Sequence, residues 1–205
     1  MANFASFSAV GLSLERFLTA SFLADPPVSG STTAARLVRT EDFDPKNLGL
    51  IPKPFLSIFA YRVDLNKATR AGWSAVGHLD GRGHLPVDLH FLLTPWASDA
   101  DSELRIIGRA MQALDATPIL AGPLLLPFGE FGPGESVQLV LEDVPTDAVM
   151  RTFDSLPTDY KLSVPYLARV VRLDARAAAP SPPVLTVVSG KAPTASPAPP
   201  SSLTP

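Results

Sequence analysis

The chain has 205 residues, 46% of them hydrophobic and 18% charged, and these proportions indicate one compact domain with a substantial core. A formal net charge of −3 gives no electrostatic attraction for nucleic acid or anionic lipid, so neither is an expected partner. The absence of cysteine excludes disulfides, thiolate metal sites and a cysteine nucleophile.

The amino-terminal segment predicts an amphipathic helix that ends before Asp25. Hydrophobic residues recur there at spacings of three and four, which is typical of one buried helix face: Phe4, Phe7, Val10, Leu14, Phe17 and Leu18. Glu15 and Arg16 interrupt the segment and no basic leader precedes it, so no signal peptide is expected. No stretch offers eighteen apolar residues free of charge and proline, so we expect no membrane span and production in the cytoplasm.

Two long stretches in the middle of the chain alternate as strands do. Residues 55–65 are expected to place five side chains on one side, namely Phe55, Phe59, Tyr61, Val63 and Leu65. Residues 85–93 place Leu85, Val87, Leu89, Phe91 and Leu93 on one face, and His84, Pro86, Asp88 and His90 on the other. Pro95 is expected to end this strand. A weaker strand is predicted over residues 32–40, and a loop or loose hairpin over residues 66–83.

The following residues predict a helix capped by Ser98, with a buried stripe of Leu104, Ile107, Ala110, Met111 and Leu114. Residues 118–129 are apolar but broken by proline, which indicates a short edge segment. A strand over residues 136–142, a short helix from Thr146 to about Leu156 and a last strand over residues 164–174 complete the pattern. The predicted fold class is α+β, with a mixed or antiparallel sheet and packed helices.

Composition changes near Asp174. We therefore expect a domain over residues 1–174, followed by an arm over residues 175–205 that is rich in proline and alanine and cannot bury a core of its own. A short strand is predicted within the arm at residues 183–189. Its candidate partner-binding residues are Val184, Leu185, Thr186, Val187 and Val188. Such a strand suits an exposed sheet edge, either on its own domain or on another chain.

The alternation over residues 84–90 raises the question of chemistry. His84, Asp88 and His90 share a face on a strand, but they lack a recognisable metal-ligand spacing, and hydrogen bonding or an interface is the favoured interpretation. Ser57 and Ser163 lie in predicted strands without the glycine framing of a nucleophilic serine. We therefore assign no catalytic, cofactor or metal site, and retain an enzyme centred on Asp88 and His90 as an alternative.

Three segments in this order resemble the tube-terminator, or cap, proteins of extracellular contractile injection systems. They are LPVDLHFLLTPWA at residues 85–97, SELRIIGRAMQALDATPIL at residues 102–120 and YKLSVPYLARVVRLD at residues 160–174. The likeness extends from the first helix to Asp174. Phe153 stands where family members often carry a Trp-like residue, and the proline-rich arm is less typical of the family.

The resemblance implies a fold like that of phage tail terminators and a structural function without catalysis. Such proteins form a six-fold ring at the distal end of the inner tube, stop its growth and hold the last sheath layer. A ring of identical chains needs two different patches on each subunit, for which the resemblance suggests residues 118–128 and the arm strand. Asp88, His90 and Trp96 are then expected at partner contacts, with Asp88 and His90 positioning the strand-to-helix turn. A transient assembly adaptor for tube or sheath subunits is the alternative.

Overall fold

The structure is a computed structural model that describes residues 2–70 and 83–175. Its strands are β1 (Ala34–Val38), β2 (Phe55–Leu65), β3 (His84–Trp96), β4 (Ile119–Ala121), β5 (Ser136–Leu141) and β6 (Val164–Asp174). Its helices are α1 (Ser6–Ala24), α2 (Pro45–Leu48), α3 (Lys67–Arg70), α4 (Ala100–Ala116) and α5 (Thr146–Asp154). Short 3₁₀ turns lie at Thr40–Phe43, Gly122–Leu124 and Pro127–Gly129.

The six strands form one sheet in the order β1-β2-β3-β6-β5-β4. β1 pairs with β2 in parallel, and every other pair is antiparallel. The predicted α+β class with a mixed sheet is therefore confirmed. β3 and β6 occupy the centre, which explains why the alternation of β3 is the clearest in the sequence.

One face of the sheet carries the larger hydrophobic core, called here the first core. β3 contributes Val87, Leu89, Phe91 and Leu93 to it, as the alternation predicted, while Leu85 at the strand's beginning is 39% exposed. The apolar faces of α1 and α4 cover these side chains; they include Val10, Leu14, Leu18, Ile106, Ile107, Ala110 and Leu114. Burial of these side chains supplies most of the driving force for folding.

The opposite face carries a second core at the end of the sheet where β3 finishes. Its residues are Val38, Phe43, Phe55, Phe59, Leu92, Trp96, Val149, Phe153 and Leu156. They come from β1, β2, β3, α5 and the segment between β1 and β2, so both faces of β3 are covered here. Phe153 is 3% exposed, which shows that a phenyl ring fills the position that the resemblance associates with a Trp-like residue.

Helix α1 is long and apolar enough to cross a membrane by length and composition alone. In the structure it lies on the sheet with Leu14, Leu18 and Phe22 almost inaccessible to solvent. A core helix passes the same length and composition test, so the buried face accounts for its hydrophobicity. Phe4 lies outside this helix and is 91% exposed, so its predicted place in the buried face is wrong.

Several predicted boundaries need correction. β3 continues through Pro95 to Trp96, since Pro95 lies opposite Leu56 of β2, while the pairing of β3 with β6 ends at Leu93 and requires no N–H from Pro95 on that side. The cap of α4 is Asp99 and not Ser98, because the Asp99 carboxylate accepts the Ser102 N–H at 2.9 Å. Leu104 is 58% exposed, and Ile106 takes its predicted place in the core. The predicted loops hold the short helices α2 and α3.

The predicted face of β2 is correct only for its first half. The register with β3 shifts between Ala60 and Arg62, which indicates a β-bulge at Tyr61. Beyond the bulge Arg62 lies opposite His90 and Asp64 lies opposite Asp88, whereas Val63 and Leu65 turn to the face of the first core. Val63 is 54% exposed there, because α1 does not cover this end of β2.

Candidate functional site

His90 lies at the centre of a group of polar side chains on the second face, called here the polar cluster: Tyr61, Arg62, Asp64, His90 and Glu142. The imidazole is 3% exposed, and a carboxylate oxygen faces each of its nitrogens. His90 Nδ1 lies 2.8 Å from Glu142 Oε2, and His90 Nε2 lies 3.2 Å from Asp64 Oδ2. The buried histidine therefore has specific polar neighbours, in agreement with the interpretation that the polar residues of β3 form hydrogen bonds.

Arg62 bridges the two carboxylates of the polar cluster. Its Nε lies 2.9 Å from Asp64 Oδ2, and its Nη2 donates to Glu142 Oε1 at 3.2 Å. The bulge at Tyr61 makes this possible, because it moves Arg62 and Asp64 onto the face that carries His90. Glu142 directly follows β5 and is held near β6 by its N–H, which donates to the Pro165 carbonyl at 3.0 Å. Arg62 therefore offsets one of the two negative charges that Asp64 and Glu142 bring to the cluster.

Tyr61 completes the polar cluster with its hydroxyl and its ring. The hydroxyl donates to Glu142 Oε2 at 3.3 Å, and the ring meets the imidazole of His90 edge-on, with 6.0 Å between centroids. Burial, together with the negative charge of Glu142, raises the pKa of Tyr61 to about 12. The phenol therefore stays neutral and remains a hydrogen-bond donor throughout the physiological range.

The three polar residues that share a face of β3 have different partners. Asp88 accepts two hydrogen bonds from Asn66 Nδ2, at 3.0 and 3.1 Å. His84 bonds to Asp174 of β6, which also accepts from Arg172 Nη2 at 2.9 Å. His84, Asp88 and His90 therefore do not share a common centre, and no group of three or more metal-ligating side chains occurs within residues 2–70 and 83–175.

Trp96 lies in the second core and is 4% exposed. Its indole N–H donates to Ser57 Oγ at 2.9 Å, its ring stacks on Phe55, and Lys161 Nζ lies 4.7 Å from its centroid. Ser57 in turn donates to the Thr94 carbonyl at 3.2 Å. The serine that sequence analysis considered as a nucleophile is therefore a structural partner of the tryptophan.

The strand-to-helix turn is held by other residues than those predicted. Glu103 Oε1 accepts the Ala97 N–H at 3.3 Å and pairs with Lys161, while Asp99 caps α4. Asp88 and His90 lie further back along β3 with the partners given above. Their predicted role in positioning this turn is therefore wrong.

Sequence analysis missed Arg62, Asp64 and Glu142 as partners of His90, and Asp174 as the partner of His84. The sequence did place Arg62 and Asp64 at the end of β2, after a hydrophobic first half, which indicates a polar end of the strand. The bulge that brings Arg62 opposite His90 has no recognisable pattern in the sequence. The predicted strand at residues 183–189 lies outside the described residues, and partner binding by Val184 to Val188, Asp88, His90 and Trp96 stays a prediction.

With this geometry in place, comparison with known proteins gives the family. Residues 9–186 match the model of the Pvc16 N-terminal domain. The chain belongs to the Pvc16 N-terminal domain family. This match covers most of the chain and confirms the resemblance to tube terminators that the three sequence segments indicated.

A solved structure agrees with this assignment. The chain is similar to the sheath/tube terminator of PVC, an extracellular contractile injection system, determined by cryo-EM in its extended state. The TM-score is 0.50 at 18% sequence identity, and the match covers 89% of this chain but 64% of that protein's length. The likeness therefore shows a shared fold. None of the curated proteins compared with the chain matches its sequence significantly.

Proposed function

We propose that this protein is a structural cap of a contractile injection system, a ring that ends the inner tube at its distal end and anchors the last sheath layer. The observation that carries the proposal is the combined assignment, by family and by fold, to the domain found in a sheath/tube terminator. Its partners are then other copies of itself, the tube protein and the sheath protein. The chain is made in the cytoplasm and becomes part of the particle.

The polar cluster supports a structural function better than a catalytic one. The polar neighbours of His90 are Glu142, Asp64 and Arg62, and this set contains an acid and a base but no hydroxyl or thiol nucleophile. The only hydroxyl in the described cluster belongs to Tyr61, whose pKa of about 12 keeps it protonated. We infer that the cluster fixes the ends of β2 and β5 to the middle of β3.

The ring is proposed to contain six copies joined head to tail, since a closed ring of identical chains needs two unlike patches on each subunit. One patch is expected at residues 118–128, on the side of the sheet that ends in β4, and the other at the arm strand. This assignment follows the family resemblance. It leaves both faces of the ring available for the tube below and the sheath around it.

Imaging of complete particles from the producing cell tests the cap proposal. We expect density for this chain at the end opposite the baseplate, and we expect deletion of its gene to give tubes of uncontrolled length. Particles without the chain at that end would contradict the proposal. A chain that is needed for assembly but missing from mature particles by mass spectrometry would instead identify a transient adaptor.

The double variant Asp88→Asn with His90→Gln separates the cap from the enzyme alternative. Because both side chains hold structural partners, we expect the variant to lose stability and particle assembly. An enzyme centred on these residues would assemble normally and lose only a chemical activity. Leu104→Ala is the matched control, since this side chain on α4 is 58% exposed, belongs to neither core and is expected to leave assembly unchanged.

A further inference from the structure

The outer edges of the sheet differ in how easily another strand could pair with them. The edge at β1 is the best protected against such pairing. The Ala35 N–H donates to Thr19 Oγ1 at 3.0 Å, and the Leu37 N–H donates to Glu15 Oε2 at 2.7 Å. Both acceptors belong to α1, whose side chains thereby occupy the hydrogen-bonding positions that a further strand would need. The edge of β1 is closed by its own domain.

The edge at β4 is short and interrupted. The strand has three residues, Ile119–Ala121, and the Leu139 N–H of β5 is already satisfied by the Pro118 carbonyl at 2.7 Å. Pro123 and Pro127 follow in 3₁₀ turns and have no N–H to donate. This edge can pair with very little of an incoming strand.

Residues 61–65 of β2 form a third edge, called here the open edge. β1 pairs with Phe55 to Phe59 and stops there, so the continuation of β2 has β3 on one side and no strand of residues 2–70 or 83–175 on the other. Val63 and Leu65 are 54% and 42% exposed on the face of the first core. Backbone groups that lack a strand partner, beside exposed apolar side chains, are a template for strand addition.

An apolar groove of about 540 Å³ lies beside the open edge. Side chains from α1, β1, β2 and β3 line most of it, including Phe7, Leu37, Val63, Leu89 and Phe91. Arg39, Thr40 and Asp42, which follow β1, give the groove a polar border. The groove lies on the face of Val63, opposite to that of the Arg62–Asp64 pair. A strand added here would therefore meet apolar surface with one set of alternate side chains and a charged pair with the other.

The arm strand, residues 184–188, has the sequence that such a site requires. The arm strand has five residues, the same number as the open edge, and none of its side chains carries a charge. Leu185 and Val187 alternate with Val184, Thr186 and Val188, so one face is wholly apolar and the other contains a hydroxyl. β-Branched residues make up four of the five positions, which favours an extended conformation.

We propose that the arm strand of a second copy of this chain adds to the open edge of the first. Leu185 and Val187 then lie over the groove, while Thr186 lies on the side of Arg62 and Asp64. The inference rests on the proposed ring and deepens it. It names the open edge of β2, in place of residues 118–128, as the patch that receives the arm.

The spacer before the arm strand is long enough to reach a second copy, and the proposed ring favours that copy over the chain's own edge. Residues 175–182 span about 25 Å when extended at about 3.1 Å per residue. One arm and one open edge per copy also make the unlike pair of patches that closes a ring.

Cysteine cross-linking tests this inference cleanly because the chain has no cysteine of its own. One population of full-length chains carries Val63→Cys, and a second, distinguishably tagged population carries Val187→Cys or Leu185→Cys. After mixing and mild oxidation, we expect disulfides that join the two tags, several-fold more than with Thr186→Cys, since the proposed pairing puts that side chain on the other face. Leu104→Cys replaces Val63→Cys as the control for random contact, since both parent side chains are similarly exposed.

Each outcome decides the matter. Disulfides that form only when both cysteines are in one chain would overturn the exchange between copies. Rings without any disulfide between the tags would overturn the inference and leave the cap proposal standing. If the chains neither associate nor occur at particle ends, both fail together.

A charge on the open edge provides a second readout. Val63→Lys should weaken self-association, because it introduces an ammonium group beside an apolar groove, whereas Leu104→Lys should not. Unfolding curves establish that both variants keep their fold. Equal association of the two variants would contradict the assignment of the open edge.

Discussion

Two stretches of strand β3, one around Trp96 at its end and one around His90 at its middle, differ on the second face of the sheet. Around Trp96 the neighbours are mostly aromatic and aliphatic, while the indole N–H donates to Ser57 and Lys161 lies over the ring. Around His90 the neighbours are charged, and Asp64 and Arg62 remain about half exposed. Packing therefore dominates at the Trp96 end, whereas hydrogen bonding and charge pairing dominate around His90.

The largest effect is expected at the Trp96 end. Trp96→Ala should lower the free energy of unfolding by about 3–5 kcal/mol, because it leaves a cavity between Phe55 and Leu92. Urea denaturation measures the loss. Trp96→Phe is the control, since it keeps an aromatic ring and removes the hydrogen bond to Ser57, and should cost clearly less. If Trp96→Ala cost no more than Trp96→Phe, packing would not dominate here.

A smaller effect is expected from Glu142→Gln, beside His90 at the middle of β3. The substitution keeps the size of the side chain but removes the charge that faces His90 and Arg62, and should cost about 1–3 kcal/mol. Asp64→Asn is the matched control, and because its side chain is 49% exposed it should cost less than about 1 kcal/mol. Denaturant unfolding of both variants in the same buffer gives the comparison, and equal losses would contradict it.

The smallest effect concerns the ionisation of Tyr61 in the polar cluster and is measured by spectroscopy. Ultraviolet titration should show one tyrosine ionising near pH 12, and this signal should disappear in Tyr61→Phe. Since the pKa is raised in the folded state above its ordinary value of about 10, the contribution of Tyr61 to stability is complete below pH 10. It is lost progressively as the pH rises from about 10 to about 12. Ionisation of Tyr61 at about pH 10 would show that the cluster is open to water.

Regular patterns allowed much of the fold to be predicted. The period of two in β3 identified Val87, Leu89, Phe91 and Leu93 as core residues, and spacings of three and four identified the buried faces of α1 and α4. These patterns are strong because each element is covered by hydrophobic neighbours along most of its length. The class of fold follows from their order.

The missing parts depend on contacts distant in sequence. The bulge at Tyr61 reverses which side of β2 is buried, and only the pairing with β3 reveals it. The parallel pairing of β1 was likewise invisible, since five residues with weak alternation do not specify a neighbour. For the candidate site, His90 was identified from the sequence, but Glu142 lies 52 residues away and reaches it only through β5 and β6.

The parallel pairing of β1 and β2 has a consequence for the order of folding. Because the two strands run in the same direction, the chain between them must travel back along the sheet, and this return path delivers Phe43 to the side chains of Phe59 and Trp96. The aromatic layer also contains Trp96, which joins it only when β3 has paired with β2. We therefore expect this layer to be completed late, after the antiparallel β2–β3 pairing.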